Sequence, residues 1–174
     1  TKIVASAPTM THLTPLNQST GIQTFTSNIS AAKLSDIIVL CVKPSQIKMV
    51  TNELVQVPNI NKKLIISIVA GVRMDDINQW LGNECRIIRA MPNTPAMLRN
   101  GATGLLANPL CESIHRDIAE SIMRAVGVTV WLSSEDQLDT VTAVSGSGPA
   151  YFFLIMEALE KAAIAEGLSV QAAY

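Results

Sequence analysis

Short runs rich in Ile and Val alternate along this chain with amphipathic stretches of helical length, and that alternation constrains its fold more than any other feature. "KIVAS" (2–6) and "GIQTF" (21–25) read as strands separated by a polar connection. "SNISAAKLS" (27–35) predicts a short helix with Ser27 or Asn28 as N-cap, since either side chain can accept a hydrogen bond from a free first-turn N–H. "DIIVLCV" (36–42) is apolar almost throughout, the pattern of a parallel strand buried on both faces. Pro44 then opens a helix, where its missing N–H costs nothing, and Ile47, Val50 and Leu54 space the apolar face. "KKLIISIVAG" (62–71) is a second apolar strand, "RMDDINQWLG" (73–82) a helix, and "CRIIRAMP" (85–92) a third strand of that kind. This repetition predicts a doubly wound α/β domain with a mostly parallel sheet and right-handed crossovers.

"GATGLLAN" (101–108) reads as a further strand, "ESIHRDIAESIMRAVG" (112–127) as a helix stopped by Gly127, and "VTVWLS" (128–133) as a last strand. From Glu135 the period is helical: Leu138, Val141 and Val144 fall on one face, and helix formers run to Ala173 with one interruption at Gly167. A domain boundary is expected near 132–135, dividing the chain into 1–133 and 134–174.

Composition excludes several functions. Apolar residues make up 48% of 174, enough for a packed core, and a net charge of −1 offers no electrostatic footprint for nucleic acid or an anionic membrane. The longest apolar runs are far too short to span a bilayer, and no basic stretch leads into an apolar one at the start. Cys41, Cys85 and Cys111 show no C-x-x-C spacing, and Cys41 reads as a small buried hydrophobe. His12 and His115 lack neighbours at ligand spacing, so no metal is expected. Together these features predict a reduced, cytoplasmic protein. The chain opens at Thr1 directly into a strand and ends without a cap at "LSVQAAY", so both ends read as cut.

The glycines of "TAVSGSGPAYFF" (142–153) invite comparison with the G-x-G-x-x-G loop that cradles a dinucleotide's phosphates. Tyr151 stands where the third glycine belongs, and a helix rather than a strand precedes the motif, so that reading fails twice. What remains is a break between two helices, with Ser147 as cap and Pro149 in the first turn. Such a break is either a hinge or an anion site built from free amides and serine hydroxyls, and the residues alone leave both open.

"CVKPSQI" (41–47), "SIVAGV" (67–72), "AMPNTPA" (90–96) and "VSGSGPAYFFLIMEAL" (144–159) occur in an order that closely resembles the pyrroline-5-carboxylate reductase family, over nearly the whole chain. The resemblance implies an NAD(P)H-binding Rossmann-type domain whose sheet here lacks its first strand and glycine-rich loop. It also implies the start of an all-α dimerisation domain, reduction of 1-pyrroline-5-carboxylate to L-proline, and a homodimer able to assemble further. These residues alone are then expected to bind NADPH poorly and not to turn over.

Carried over residue by residue, the resemblance puts Ser6 and Pro8 at the adenosine ribose and Asn28 at the adenosine part of the cofactor. No Asp or Glu closes the first strand to hold a ribose 2′-OH, so NADPH is expected to be preferred over NADH. Cys41, Val42, Lys43 and Pro44 match the turn that lines the cofactor, and Ile68, Val69 and Ala70 the stretch beside the nicotinamide. Cys41 replaces a commoner Ala, and Ile68 and Val69 are larger than the usual Ala-Ala. Asn93 and Thr94, held between two prolines, and Glu135, Thr142, Ser145 and Ser147 are expected on the substrate side. No His–Asp or Cys–His pair suits an obligatory base, and no catalytic residue is assigned. Two other readings compete: an NADP-dependent β-hydroxyacid-type dehydrogenase, for which Lys161 is the available catalytic lysine, and a non-catalytic binding or dimerisation module.

Overall fold

A computed structural model describes residues 2–174. The N-terminal unit comprises β1 (Val4–Ser6), α1 (Met10–Thr20), β2 (Gln23–Phe25), α2 (Asn28–Lys33), β3 (Ile37–Leu40), α3 (Ile47–Leu54), β4 (Leu64–Ser67), α4 (Met74–Trp80) and β5 (Arg86–Met91). It continues through β6 (Gly101–Ala107), α5 (Ser113–Arg124) and β7 (Gly127–Trp131). Then follow α6 (Glu135–Val141), a π-turn (Thr142–Gly146), α7 (Gly148–Ala165) and α8 (Val170–Ala173).

The expected Rossmann-like, mostly parallel α/β fold is present, with its strands divided between two sheets. β1 and β2 pair in parallel, and β3-β4-β5-β6-β7 form a separate sheet in which only the β5–β6 contact is antiparallel. A parallel return usually needs a crossover of a dozen residues or more, and the stretch 92–100 between β5 and β6 is too short for one. Two cores flank the larger sheet. Ile65 and Ile87 pack with Ile47, Val50 and Leu54 of α3 and Ile77 of α4, while Ile66, Ile88, Ala90 and Leu105 pack against Ala119 and Met123 of α5.

Several expectations are corrected. The polar connection between β1 and β2 is α1, anchored by buried Leu13 despite an internal Pro15, and stopped by Gly21 in the left-handed region at φ 69°. Its Thr- and Pro-rich composition hid it, because burial of one leucine, not propensity, holds it. β4 is buried at every position as predicted, whereas β3 is not: Val39 is 39% exposed, since β3 pairs only with β4 among the described residues. Cys41 lies just past β3 and is exposed at the residue level rather than buried, although desolvation around its sulfur raises its thiol pKa as burial raises those of Cys85 and Cys111. Val144 does not join Leu138 in the core; it is 69% exposed.

Gly127 does not stop α5, which closes at Ala125; it opens β7 at φ 152°. A Cβ there would lie 1.9 Å from the Gly101 carbonyl oxygen. Backbone strain of about 1–3 kcal/mol and overpacking of about 1–3 kcal/mol act together, so Gly127→Ala should destabilise the fold by at least about 2 kcal/mol in urea or thermal unfolding.

The edge strand β7 is tied to α5 through Glu120, whose carboxylate accepts from Trp131 Nε1 (2.9 Å), Arg124 Nε (2.8 Å) and Thr129 Oγ1 (3.3 Å). These bonds, Trp131 first, lower its pKa. A depressed folded-state pKa contributes stability that is present above the unfolded value, about 4.3, and lost as pH falls through the folded one. Trp131→Phe should therefore flatten the pH dependence of stability below about pH 4.3, measured by thermal unfolding across an acid series.

Candidate functional site

The strand ends assemble one edge. β3, β4 and β5 run parallel in register, Leu40 beside Ser67 beside Arg89, so the turns that follow them emerge side by side. Lys43 is extended, as a residue before proline must be, and Pro44 starts a 3-10 turn leading into α3. Lys43 and Pro44 are exposed and Val42 half-buried. After β4, Ile68 N–H bonds to the Leu40 carbonyl (3.2 Å), and Val69 N–H donates to Ser67 Oγ (3.3 Å). Val69 is buried in the core, leaving the half-exposed Ile68 and Ala70 on either side of it at the edge.

At the end of β1, Ser6 Oγ donates to Asn28 Oδ1 (2.9 Å), and Asn28 Nδ2 donates to Glu53 Oε2 (3.0 Å). Two residues chosen from sequence thus form one chain, because α2 packs against both β1 and α3. Ser27 caps α2, its Oγ accepting from Ser30 N–H, which frees the Asn28 side chain for these contacts. Sequence reasoning missed Glu53. A carboxylate does stand near the β1 end, one hydrogen bond behind Asn28, where nothing in the local motif signals it. Pro8 is exposed in the turn before α1.

A second cluster joins α6 to the sheet. Glu135, the first residue of α6, is only 16% exposed at its side chain, rather than projecting from a surface helix end. Its Oε1 accepts from Arg89 Nη1 (2.9 Å) and from the N–H of Met74 (2.8 Å), the first residue of α4. Arg73 approaches its other oxygen at 3.9 Å. Arg89 sits mid-strand in β5, 1% exposed, with Nε and Nη2 unpartnered among the described residues. An arginine within an apolar run carries a sequence signal, since a buried guanidinium needs a carboxylate, but its partner lies 46 positions away.

The turn after β5 meets the helices next. Asn93 Oδ1 accepts from Ala102 N–H (2.9 Å), and its Nδ2 donates to Ser145 Oγ (3.3 Å). Thr94 is exposed and opens the 3-10 turn Thr94–Leu98. The expected helix break narrows to one turn residue: α6, the π-turn and α7 follow one another as a rod, with Ser147 between the last two at φ −87°, ψ −26°. Its N–H bonds to the Thr142 carbonyl (3.1 Å) in the wider π register, and its side chain caps nothing. Pro149 explains the widening. It has no N–H for the Ser145 carbonyl and its ring crowds that oxygen, so the preceding turn opens instead of breaking. A cluster of free amides, the basis of the anion-site reading, is therefore not built here.

A groove walled by Trp131, Leu132, Ser133, Gln137, Thr140 and Val141 contains none of the predicted residues. Among the described residues no cluster could hold a metal ion, and no helix is long and apolar enough to cross a membrane.

Residues 1–71 match a family model described as NADP oxidoreductase coenzyme F420-dependent, and residues 135–174 one described as pyrroline-5-carboxylate reductase dimerisation. A pyrroline-5-carboxylate reductase of Pseudomonas aeruginosa is 45% identical over 148 residues, 84% of this chain and 54% of that protein. The solved structure of such a reductase from Coxiella burnetii superimposes with a TM-score of 0.90 at 47% identity, covering 98% of this chain and 63% of that one. The chain belongs to the pyrroline-5-carboxylate reductase family. A Plasmodium falciparum pyrroline carboxylate reductase solved with NADP bound shares the fold at a TM-score of 0.85 and 27% identity, with 99% of this chain and 72% of that one covered. The chain spans about half the length of the curated relatives it matches, 54% and 62% of two bacterial reductases.

In this family member the second match begins at Glu135, the residue that α6 commits to Arg89. Beyond it α7 carries no buried residue and exposes Tyr151, Phe152, Leu154, Ile155 and Leu159. An apolar face of that extent on a helix belongs in an interface.

Removing one partner of a buried pair strands the other's charge. Arg89→Met or Glu135→Leu alone should therefore cost about 3–5 kcal/mol in denaturant unfolding, while Arg89→Met with Glu135→Leu should regain most of that loss.

Proposed function

We propose that the protein containing this chain reduces 1-pyrroline-5-carboxylate to L-proline with NADPH, the last step of proline biosynthesis. The observation that carries the reading is the meeting of the strand-end turns with the α6–α7 rod through Asn93 and Ser145. Ligands of open α/β sheets bind outside the carboxyl ends of the strands, which is where these turns lie. The names of the relatives supply the substrate.

The residues present fit a dinucleotide along this edge. The Ser6–Asn28 pair offers hydrogen-bonding groups at an exposed strand end, Lys43 offers an exposed cation, and half-exposed Ile68 and Ala70 flank the buried Val69 in the turn after β4. Ser6, Pro8 and Asn28 would hold the adenosine end; Cys41, Val42, Lys43 and Pro44 the middle; Ile68, Val69 and Ala70 the nicotinamide end. When bound, NADPH supplies the hydride that reduces the C=N carbon, and the nitrogen takes up a proton. This chain's part is orientation: the turn of Asn93 and Thr94 and the rod bearing Glu135, Thr142, Ser145 and Ser147 would form the substrate side. Glu135 Oε1 is taken by Arg89 and the Met74 N–H, so its part there would be to fix Arg89 and the start of the rod.

Residues 1–133 are read as the cofactor-binding unit and 134–174 as the beginning of a helical unit whose apolar α7 face is covered in a homodimer, with higher assembly open to the same surface. Three unbridged cysteines support a cytoplasmic setting. The β-hydroxyacid alternative loses its support, because Lys161 pairs with Glu157 on an exposed face of α7.

The test follows NADPH and NADH oxidation by the full-length protein with pyrroline-5-carboxylate. Turnover with a higher kcat/KM for NADPH is expected. No turnover with either cofactor overturns the reading, and a marked NADH preference overturns the part resting on Ser6.

A further inference from the structure

Three hydroxyl side chains lie close together along the rod, and their hydrogen bonds distinguish them. A hydroxyl has one proton to give and two lone pairs to receive. Thr142 Oγ1 gives its proton to the Leu138 carbonyl (2.9 Å), and Ser147 Oγ gives its own to the Thr142 carbonyl (3.4 Å). Both protons are spent on the rod itself. Ser145 is different: its Oγ receives a hydrogen bond from Asn93 Nδ2 (3.3 Å) and gives none to any described atom.

The direction of that bond is fixed. An amide's oxygen and nitrogen are told apart by their partners, and Ala102 N–H, a backbone group that can only donate, faces one end of Asn93 at 2.9 Å. That end is the oxygen, so the nitrogen faces Ser145. The π register places this serine over the turn after β5, as the nearby Gly146 shows: a Cβ there would lie 3.4 Å from Met91 Cε. Ser145 is half-buried, and single π-turns inside α-helices are frequent at functional sites.

We propose that the Ser145 hydroxyl donates its proton to an oxygen acceptor on a small molecule bound in this cleft, and that Asn93 is the positioning residue that keeps the proton pointed outward. The inference rests on the reductase reading, which supplies two such acceptors: a substrate carboxylate oxygen and the nicotinamide carboxamide oxygen. Asn93 acts through Ser145, with one hydrogen bond fixed at each end of its amide.

The experiment measures steady-state kinetics of the full-length enzyme with Ser145→Ala, Asn93→Asp and the two combined. Asn93→Asp keeps an oxygen for Ala102 N–H but turns an acceptor toward Ser145, which would give up its proton to the new carboxylate. Each single change is expected to lower kcat/KM about 10- to 100-fold, the scale of one lost hydrogen bond to a polar or charged group. The combination should be no worse than the poorer single variant, because both remove the same proton. A loss carried by KM for pyrroline-5-carboxylate assigns the carboxylate, and one carried by KM for NADPH the carboxamide; either supports the proposal. Ser145→Ala within about 2-fold of wild type overturns it, as does an Asn93→Asp loss that multiplies on the Ser145→Ala background, the mark of charge repulsion or disrupted structure. Thermal unfolding checks that the variants fold, and Ser145→Ala, which removes one oxygen atom, decides the question alone if Asn93→Asp does not. An inactive wild type would instead sink the reductase reading, and this inference with it.

Discussion

The ion pair between Arg89 and Glu135 holds the two parts of this structure in register. A guanidinium in the middle of a buried strand is tolerable only if a carboxylate reaches it, and the carboxylate that does so belongs to the first residue of α6. The same oxygen receives the first N–H of α4, so one buried charge ties together the sheet, the helix that follows β4, and the rod that leaves the sheet. Leu138 and Val141, one and two turns on, pack at Gly104 of β6, whose missing side chain leaves them room. The direction in which α7 departs is set by these contacts, and with it the place of Ser145.

From that anchoring the site follows. The parallel strands present their turns along one edge, and the rod approaches the turn after β5 where Asn93 bridges to Ser145. Pro149 acts at a distance of one turn: unable to donate to the Ser145 carbonyl, it widens the helix into a π register without breaking it. The motif that suggested a hinge or an anion pocket is occupied by this π-turn. It sets the angle of a single hydroxyl.

Local pattern made much of the fold legible. Continuous Ile and Val runs marked β4 and β5, and Pro44 with Ile47, Val50 and Leu54 marked α3, because a strand buried on both faces and an amphipathic helix each impose a period on their own residues. α1 escaped because one buried leucine holds it against poor propensity. Val39 misled for the opposite reason, since strand burial depends on how many neighbours the strand has, which no run of residues encodes.

The order of the strands, the helices after β2, the change to helix at Glu135 and the family motifs were determined by the sequence by itself, since each depends on residues close together in the chain. Tertiary structure alone decided the pairing of Arg89 with Glu135, the place of Glu53 behind Asn28, and which hydroxyl of the rod keeps its proton. Each of these is a contact between groups far apart in the chain, and a hydrogen bond or ion pair depends on distance and direction, which exist only once the chain has folded.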